Sequence, residues 1–229
     1  MSAAADVSVV LAVRDGADRL AEALASIRAQ TVRPAEVLLV DGGSTDGTRG
    51  IAAAHPEVEV LEQVGPTLAD AYNTGVAACR ARHVAFLSHD DVWLPHKLEL
   101  QLERLAAAPP ADCAVGLARF VVEPGDEAPP GFRPELLDGP RPARIMETLL
   151  APLAVMRRVG PFRADVSPAD DVDWFARAQD IGVVVAVVPE VILRKRVHAR
   201  STAHTSPDTH AGLLRTLRAS VERKREAAG

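Results

Sequence analysis

Apolar and polar positions along this chain switch repeatedly between two periods, and the switches fall at Gly, Pro and Asp. Val7–Val13 is the continuous apolar run of a strand buried on both faces. After Arg14-Asp15-Gly16, Leu20, Leu24 and Ile27 recur at the i, i+4, i+7 spacing of a helix. Pro34 interrupts the pattern, Val37–Val40 reads as a second buried strand, and the turn from Asp41 to Gly47 leads into a helix near Thr48–Ala54. Val58–Leu61 predicts a third strand, Thr67–Arg80 a helix and Val84–Leu87 a fourth strand. A helix over Pro95–Ala108 then runs to a boundary at Pro109-Pro110. Strands and helices that alternate over short connections favour right-handed βαβ units and a mostly parallel sheet.

Beyond Pro110 the pattern loses regularity. Cys113–Val122 predicts a strand, and Glu123–Pro142 is a Pro/Gly-rich loop without periodicity, of a length that is functional or disordered in compact domains. Ile145–Leu150 reads as helical, Leu153–Met156 as extended, and Ala169–Asp180 as a helix with Trp174 and Ala178 on one face. Val183–Val188 and Val191–Val197 read as two strands. A last helix from about Pro207 carries Leu214, Leu217 and Val221 on one face and a basic end that suits its dipole. The expected architecture is α/β: a Rossmann-like, mostly parallel central sheet flanked by helices. It divides into a regular half over residues 1–110, a less regular half over 111–206, and a C-terminal helix over 207–229.

Composition narrows the function classes. At 229 residues with 48% hydrophobic and 25% charged residues, the chain suits one globular unit. A net charge of −5 argues against nucleic-acid binding, which needs a positive face. The two cysteines, Cys79 and Cys113, are too few for a disulfide framework and lack metal-ligand spacing. No basic segment leads an apolar core at Met1–Asp6, and the apolar run Val183–Val188 is far too short to span a bilayer. The expectation is a soluble cytoplasmic protein without a transmembrane segment, with a homodimer left open.

Four strand-end loops carry acids or amides: Asp15, Asp41, Asp70 with Asn73, and Asp90-Asp91. In a parallel sheet these loops lie on one edge, where open α/β sheets bind ligands. Asp90-Asp91 stands out because adjacent carboxylates repel, so a partly buried pair holds a cation or a proton. An acidic pair ahead of a helix also serves as a solvated helix entry. No Gly-x-Gly-x-x-Gly follows the first strand and no Gly-x-x-x-x-Gly-Lys-Ser/Thr occurs, so backbone amides do not neutralise a phosphate here. A divalent cation on carboxylates can.

The segments Val7-Ser8-Val9-Val10-Leu11, Val40-Asp41-Gly42-Gly43-Ser44-Thr45-Asp46-Gly47-Thr48, Ala71-Tyr72-Asn73-Thr74-Gly75 and Phe86 to Pro95 together resemble the family 2 glycosyltransferases of GT-A fold. The similarity continues through Val159-Gly160-Pro161-Phe162, Ala169 to Trp174 and Arg196 to Thr202. The resemblance implies a metal-dependent inverting glycosyltransferase that moves a sugar from a nucleoside diphosphate sugar, UDP or dTDP favoured, to an acceptor hydroxyl of unknown identity. It implies that Asp41 accepts from the base, that Asp90 binds Mn²⁺ or Mg²⁺ with Asp91 beside it, and that His198 contacts metal or diphosphate. By the same pattern Asp171 is the catalytic base and Asp170 its neighbour. Asp70 falls near the ribose, and Ala12, Arg14, Asp15, Asn73, Ser88 and His89 complete the nucleotide set.

The chemistry of each position allows these roles and a plainer one. An acceptor-only carboxylate at Asp41 suits a uracil N3–H, and equally caps a helix entry. Imidazole at His198 favours Mn²⁺ over Mg²⁺, though a His in so basic a run is also an ordinary surface residue. Successive helical residues point about 100° apart, so one of Asp170 and Asp171 can face a cleft while the other caps amides. The chain departs from the family at Ser88, where the first acid of Asp-x-Asp is expected, at Gly42, where many members carry a second acid, at Tyr72, where many carry Arg, and in Ala12-Val13-Arg14-Asp15. A hydroxyl is a poor cation ligand, so Ser88 should weaken metal affinity. These departures motivate a second reading, a non-catalytic relative that binds a sugar nucleotide or a partner. A nucleotidyltransferase would need a basic, Gly-rich loop that Ala12–Gly16 does not provide.

Overall fold

In the computed structural model, which describes residues 5–201 and 209–228, β1 (Ala5–Val13) lies inside the sheet and is buried from Val7 onward. It pairs in parallel with β2 (Pro34–Asp41) and β4 (His83–Ser88), and β3 (Val58–Glu62) extends the parallel set beyond β2. Successive strand residues point to opposite faces, so a strand covered on both sides must be apolar throughout. Val9, Leu11 and Val13 accordingly join one core with Leu20, Leu24 and Ile27 of α1 (Leu20–Arg28) and Leu98 of α4 (Lys97–Ala106). Val10 and Ala12 join the other core with Tyr72 of α3 (Leu68–Ala78). The short α2 (Thr48–Ala53) connects β2 to β3. Helix α3 comes so near the sheet that a Cβ on Gly75 would stand 2.3 Å from Val10 Cγ1.

The second half extends the same sheet. Its order is β3-β2-β1-β4-β8-β6-β9-β5, with β7 (Arg141–Pro142) on the side of β6 (Cys113–Val121). β8 (Leu150–Pro152) is antiparallel to β4 and β6, β9 (Val185–Arg196) is parallel to β6, and the two-residue β5 (Val92–Trp93) is antiparallel to β9. The architecture is thus a single mixed, mostly parallel sheet flanked by helices. No helix among the described residues is long and apolar enough to cross a membrane.

Four local expectations need correction. Leu153–Met156 is not extended but opens α5 (Leu153–Val159). Leu153, Met156 and Val159 are buried at helical spacing, Arg157 and Arg158 face out, and Gly160, at φ +90°, ends the helix. Ile145–Leu150 is a single 3₁₀ turn over Met146–Thr148 followed by β8, because Pro152 limits a helix there and Leu150 is needed in the sheet. The two expected strands are one, β9. Gly116 of β6 pairs with Val188 and the next residue, Leu117, with Val191, so Pro189 and Glu190 sit in a bulge where a residue without an N–H is tolerated. The loop after β6 also contains a 3₁₀ turn, Pro134–Leu137, and β7.

An aromatic cluster anchors the second half. Tyr72, Phe86, Phe162 and Trp174 pack with ring centroids 5.1–6.4 Å apart, which fixes α6 (Asp170–Asp180) against the sheet. The expected start of the last helix near Pro207 lies outside the described residues. Helix α7 (Thr209–Ala228) packs on α6, where Arg223 Nε donates to Asp180 at 2.8 Å, while Leu214, Leu217 and Val221 face outward.

Candidate active site

Strand register decides which residues meet. Ala12 lies opposite both Val40 and Ser88, and Val13 lies opposite Asp41, so the segments leaving β1, β2 and β4 start abreast at one edge. A cleft of about 380 Å³ opens there, with Arg14, Ser88, Asp90, Glu147, Asp171 and Lys195 among its walls. That volume falls in the range of small-molecule sites, roughly 300–1,000 Å³.

A charged network assembled from three separate segments underlies the cleft; Ser88, Asp90, Glu147 and Lys195 line it, whereas the expected residues Asp91 and His198 are not on its walls. Asp90 Oδ2 lies 2.8 Å from His198 Nε2. Burial opposes ionisation of Asp90, yet His198, Lys195 and His89 together hold its carboxyl far below the usual range. Asp91 turns inward, accepting from Lys195 Nζ at 2.6 Å and from the Arg196 backbone N–H at 2.9 Å. Glu147 Oε1 accepts from Ser88 Oγ at 2.7 Å and from Lys195 Nζ at 3.0 Å. Burial raises the Glu147 carboxyl, but Lys195 and the Ser88 hydroxyl outweigh it and the net shift is downward. Lys195 follows the same logic: burial works against its charge and loses to Asp91, Glu147 and Asp90, which raise its pKa well above the ordinary value. Arg196 Nη1 donates to the Asp90 carbonyl at 3.0 Å, and its other nitrogens reach Glu22 and Glu123.

On the opposite wall, Asp170 and Asp171 occupy the first turn of α6 and both line the cleft. Burial pushes the Asp170 carboxyl up to about 6, against a hydrogen bond from Ser167 Oγ at 3.0 Å. Burial pushes Asp171 up to about 7, and the charges of Asp170 and Glu147 add to it. Asp171 Oδ1 accepts from the neighbouring Val172 N–H at 2.7 Å. A carboxyl group that titrates near neutrality beside a cleft can take a proton from a bound hydroxyl.

The remaining expected residues divide into two groups. Ala12, Arg14 and His89 line the cleft, Arg14 as an exposed rim residue and His89 packed against Gly16, where a Cβ would stand 2.3 Å from the ring. Asp41, Asp15, Asp70 and Asn73 are not on its walls. Asp41 is buried and holds its own turn, accepting from Ser44 N–H at 3.0 Å and Arg49 Nε at 2.5 Å. Asp15, in the left-handed region at φ 48°, accepts from Thr45 N–H at 2.7 Å. Asp70 closes a capping box with Thr67 at the start of α3, and the Asn73 amide pairs both ways with the Phe162 backbone, at 2.8 and 2.9 Å.

Residues 8–164 match the family model described as glycosyl transferase family 2, which is more than half of the chain. The chain belongs to glycosyl transferase family 2. An uncharacterised glycosyltransferase of Rickettsia prowazekii is 27% identical over 92% of this chain and 72% of its own length. Among solved structures, Staphylococcus aureus TarS in complex with UDP-GlcNAc aligns with a TM-score of 0.71 at 15% identity, covering 92% of this chain and 65% of that one. The mannosyltransferase PcManGT of Pyrobaculum calidifontis, in complex with GDP-Man and Mn²⁺, aligns with a TM-score of 0.69 at 22% identity over 96% of this chain and 65% of its own. This chain therefore spans about two thirds of either solved chain, and the likeness to them is one of fold.

The donor set of this family 2 chain can be tested for a cation. Asp90 Oδ2 and His198 Nε2, a carboxylate and an imidazole, are donor types that Mn²⁺ accepts, and here they are hydrogen-bonded to each other at 2.8 Å. Among the described residues no group of three or more His, Cys, Asp or Glu is placed to hold a metal ion, so an ion held by this pair would need further ligands from outside the protein. Asp91, the other expected ligand, is taken by Lys195 and the Arg196 backbone. Glu147 and Lys195 were not among the expected site residues. The available signal for Glu147 was a lone acid inside the apolar stretch Ile145-Met146-Glu147-Thr148-Leu149-Leu150.

Proposed function

We propose that the protein transfers a sugar, with inversion, from a nucleoside diphosphate sugar to an acceptor hydroxyl bound in this cleft. The observation that carries the reading is that Asp171, with its carboxyl raised to about 7, lines the same cleft as Asp90. Asp171 accepts the proton of the acceptor hydroxyl while that oxygen attacks the anomeric carbon. The bond from that carbon to the diphosphate breaks on the opposite face, and its electron pair leaves with the diphosphate. Asp170, hydrogen-bonded to Ser167, keeps Asp171 basic through its neighbouring charge. Asp90 and His198 would hold Mn²⁺ or Mg²⁺, whose charge offsets that of the departing diphosphate.

The base would lie over Gly42, whose lack of a side chain leaves room beside Gln63 and Arg14. Asp41 supports this surface by fixing the turn it belongs to, and UDP or dTDP is the favoured donor nucleotide. The test is nucleotide release from UDP-, dTDP- and GDP-sugars with Mn²⁺ and a panel of acceptors. Release that is lost in Asp171→Asn supports the reading, and no release from any donor overturns it. Binding without turnover, unchanged in Asp171→Asn, would instead favour a non-catalytic sugar-nucleotide-binding relative, a reading that Ser88 in place of an acid motivates.

A further inference from the structure

We propose that Lys195 is a resident cation of this cleft that binds the diphosphate of the donor directly, so that the protein retains part of its diphosphate affinity without a divalent metal. The inference rests on the glycosyltransferase reading above and deepens it. Its starting point is Ser88. The hydroxyl does not leave a gap in the charge of the strand end, because Ser88 Oγ holds a carboxylate, Glu147, that arrives from 59 residues further along the chain. Glu147 and Asp91 then flank one ammonium, Lys195 Nζ, at 3.0 and 2.6 Å. Two carboxylates around a compact positive charge are the surroundings a bound cation would have, and here a side chain supplies the charge.

Lys195 is not sealed away as a purely structural ion pair would be. Its side chain keeps 24% of its surface exposed, against none for Asp91 and 9% for Glu147. It lines the cleft with Asp90 and Asp171. An ammonium has three hydrogens, and the two carboxylates take two of them. The third can reach a phosphate oxygen from a position already fixed, which is how a site stabilises developing charge without reorganising. Composition sharpens the point. Of the 26 Lys and Arg residues only three are lysines, Lys97, Lys195 and Lys224, so arginine is the ordinary cation of this chain. A flexible stem with a point charge suits a lone phosphate oxygen in a crowded corner better than a planar fork does.

The experiment is calorimetric titration of the full chain with inorganic pyrophosphate, UDP and uridine in excess EDTA, repeated with Mn²⁺. The expected result is measurable pyrophosphate and UDP binding in EDTA that weakens at least tenfold in Lys195→Met, weakens less in Lys195→Arg, which keeps the charge but not the compact head, and leaves uridine binding unchanged. Should Lys195→Met fail to fold, ¹⁵N-lysine spectra of the unaltered protein decide the matter. With three lysines the signal lost in Lys195→Arg identifies Lys195, and it should move when pyrophosphate is added in EDTA. Pyrophosphate binding that needs Mn²⁺ absolutely, that is equal in Lys195→Met, or that leaves the Lys195 signal still overturns the inference while the glycosyltransferase reading stands. No binding of UDP or pyrophosphate under any condition overturns both.

Discussion

A carboxyl group that works as a base near neutrality must be costly to ionise where it stands, and Asp171 meets that condition through burial. Its folded value of about 7 lies above the ~4 of an unfolded aspartate, so between those values the folded state holds the extra proton. Stability therefore falls as pH rises through that window, by at most ~4 kcal/mol for a shift of this size. Asp171→Asn should melt higher than the unaltered protein at pH 8 and the same at pH 4, while its transfer rate falls by roughly 10²–10⁴. In the unaltered protein kcat/KM should rise with pH and level off above about 7, as the base loses its proton. Thermal melts and initial rates across pH 5–8 check both. Ser88 gives a second prediction. Ser88→Asp sets a carboxylate against Glu147 Oε1, which Ser88 Oγ now meets at 2.7 Å. The variant should lose about 1–3 kcal/mol at pH 8 and recover it as pH falls and one acid is protonated, which chemical denaturation at both pH values would show. Asp90 and Asp171, which line the cleft, were legible because each sits in a local motif of fixed spacing. Glu147 and Lys195 were not, because their partnership spans 48 residues and exists only after the sheet has formed.

Elements read correctly wherever one period ran unbroken. β1 announced itself as seven buried residues in succession, and α1 by Leu20, Leu24 and Ile27 on one face. The readings that failed fell after Pro110, where short segments of mixed period leave the element type to tertiary packing. Val183–Val188 and Val191–Val197 read as two strands, yet the bulge opposite Gly116 and Leu117 removes the need for the Pro189 N–H and β9 passes through. Leu153–Met156 read as extended, although Gly160 and the arginines Arg157 and Arg158 before it carry the usual marks of a helix end. Gly75 is a small residue required by packing between elements. A methyl there would meet Val10 Cγ1 at 2.3 Å and force α3 away from β1. Gly75→Ala gains up to ~1 kcal/mol in helix propensity and should lose ~1–3 kcal/mol to overpacking, for a net loss. Adding Val10→Ala makes room and should restore part of it. A double-mutant cycle by denaturant melts measures the coupling, and strict additivity of the two changes would contradict the contact.

At the scale of the molecule, the cleft is a seam between two differently built halves of one sheet. Arg14, Ser88 and Asp90 come from the strand ends of the regular half, and Glu147, Asp171 and Lys195 from the segments that follow β6. Such a seam has a thermodynamic consequence: a nucleotide that contacts both walls stabilises the folded chain as a whole and not one half of it. A ligand present at ~100 times its Kd should add ~2.7 kcal/mol, which for a chain of this size raises the melting temperature by roughly 5–11 °C. The favoured reading expects that rise with UDP or dTDP in Mn²⁺, a smaller one with UDP in EDTA, and little with GDP or CMP. Arg14→Ala and Asp90→Asn remove contacts on the regular half, and Asp171→Asn leaves the diphosphate contacts in place. The first two should therefore shrink the UDP shift while the third keeps it. A single cooperative transition that moves with ligand is what a bridged seam requires. Two transitions, only one of them shifted by UDP, would mean that the nucleotide engages one half alone and that Asp171 does not share its site.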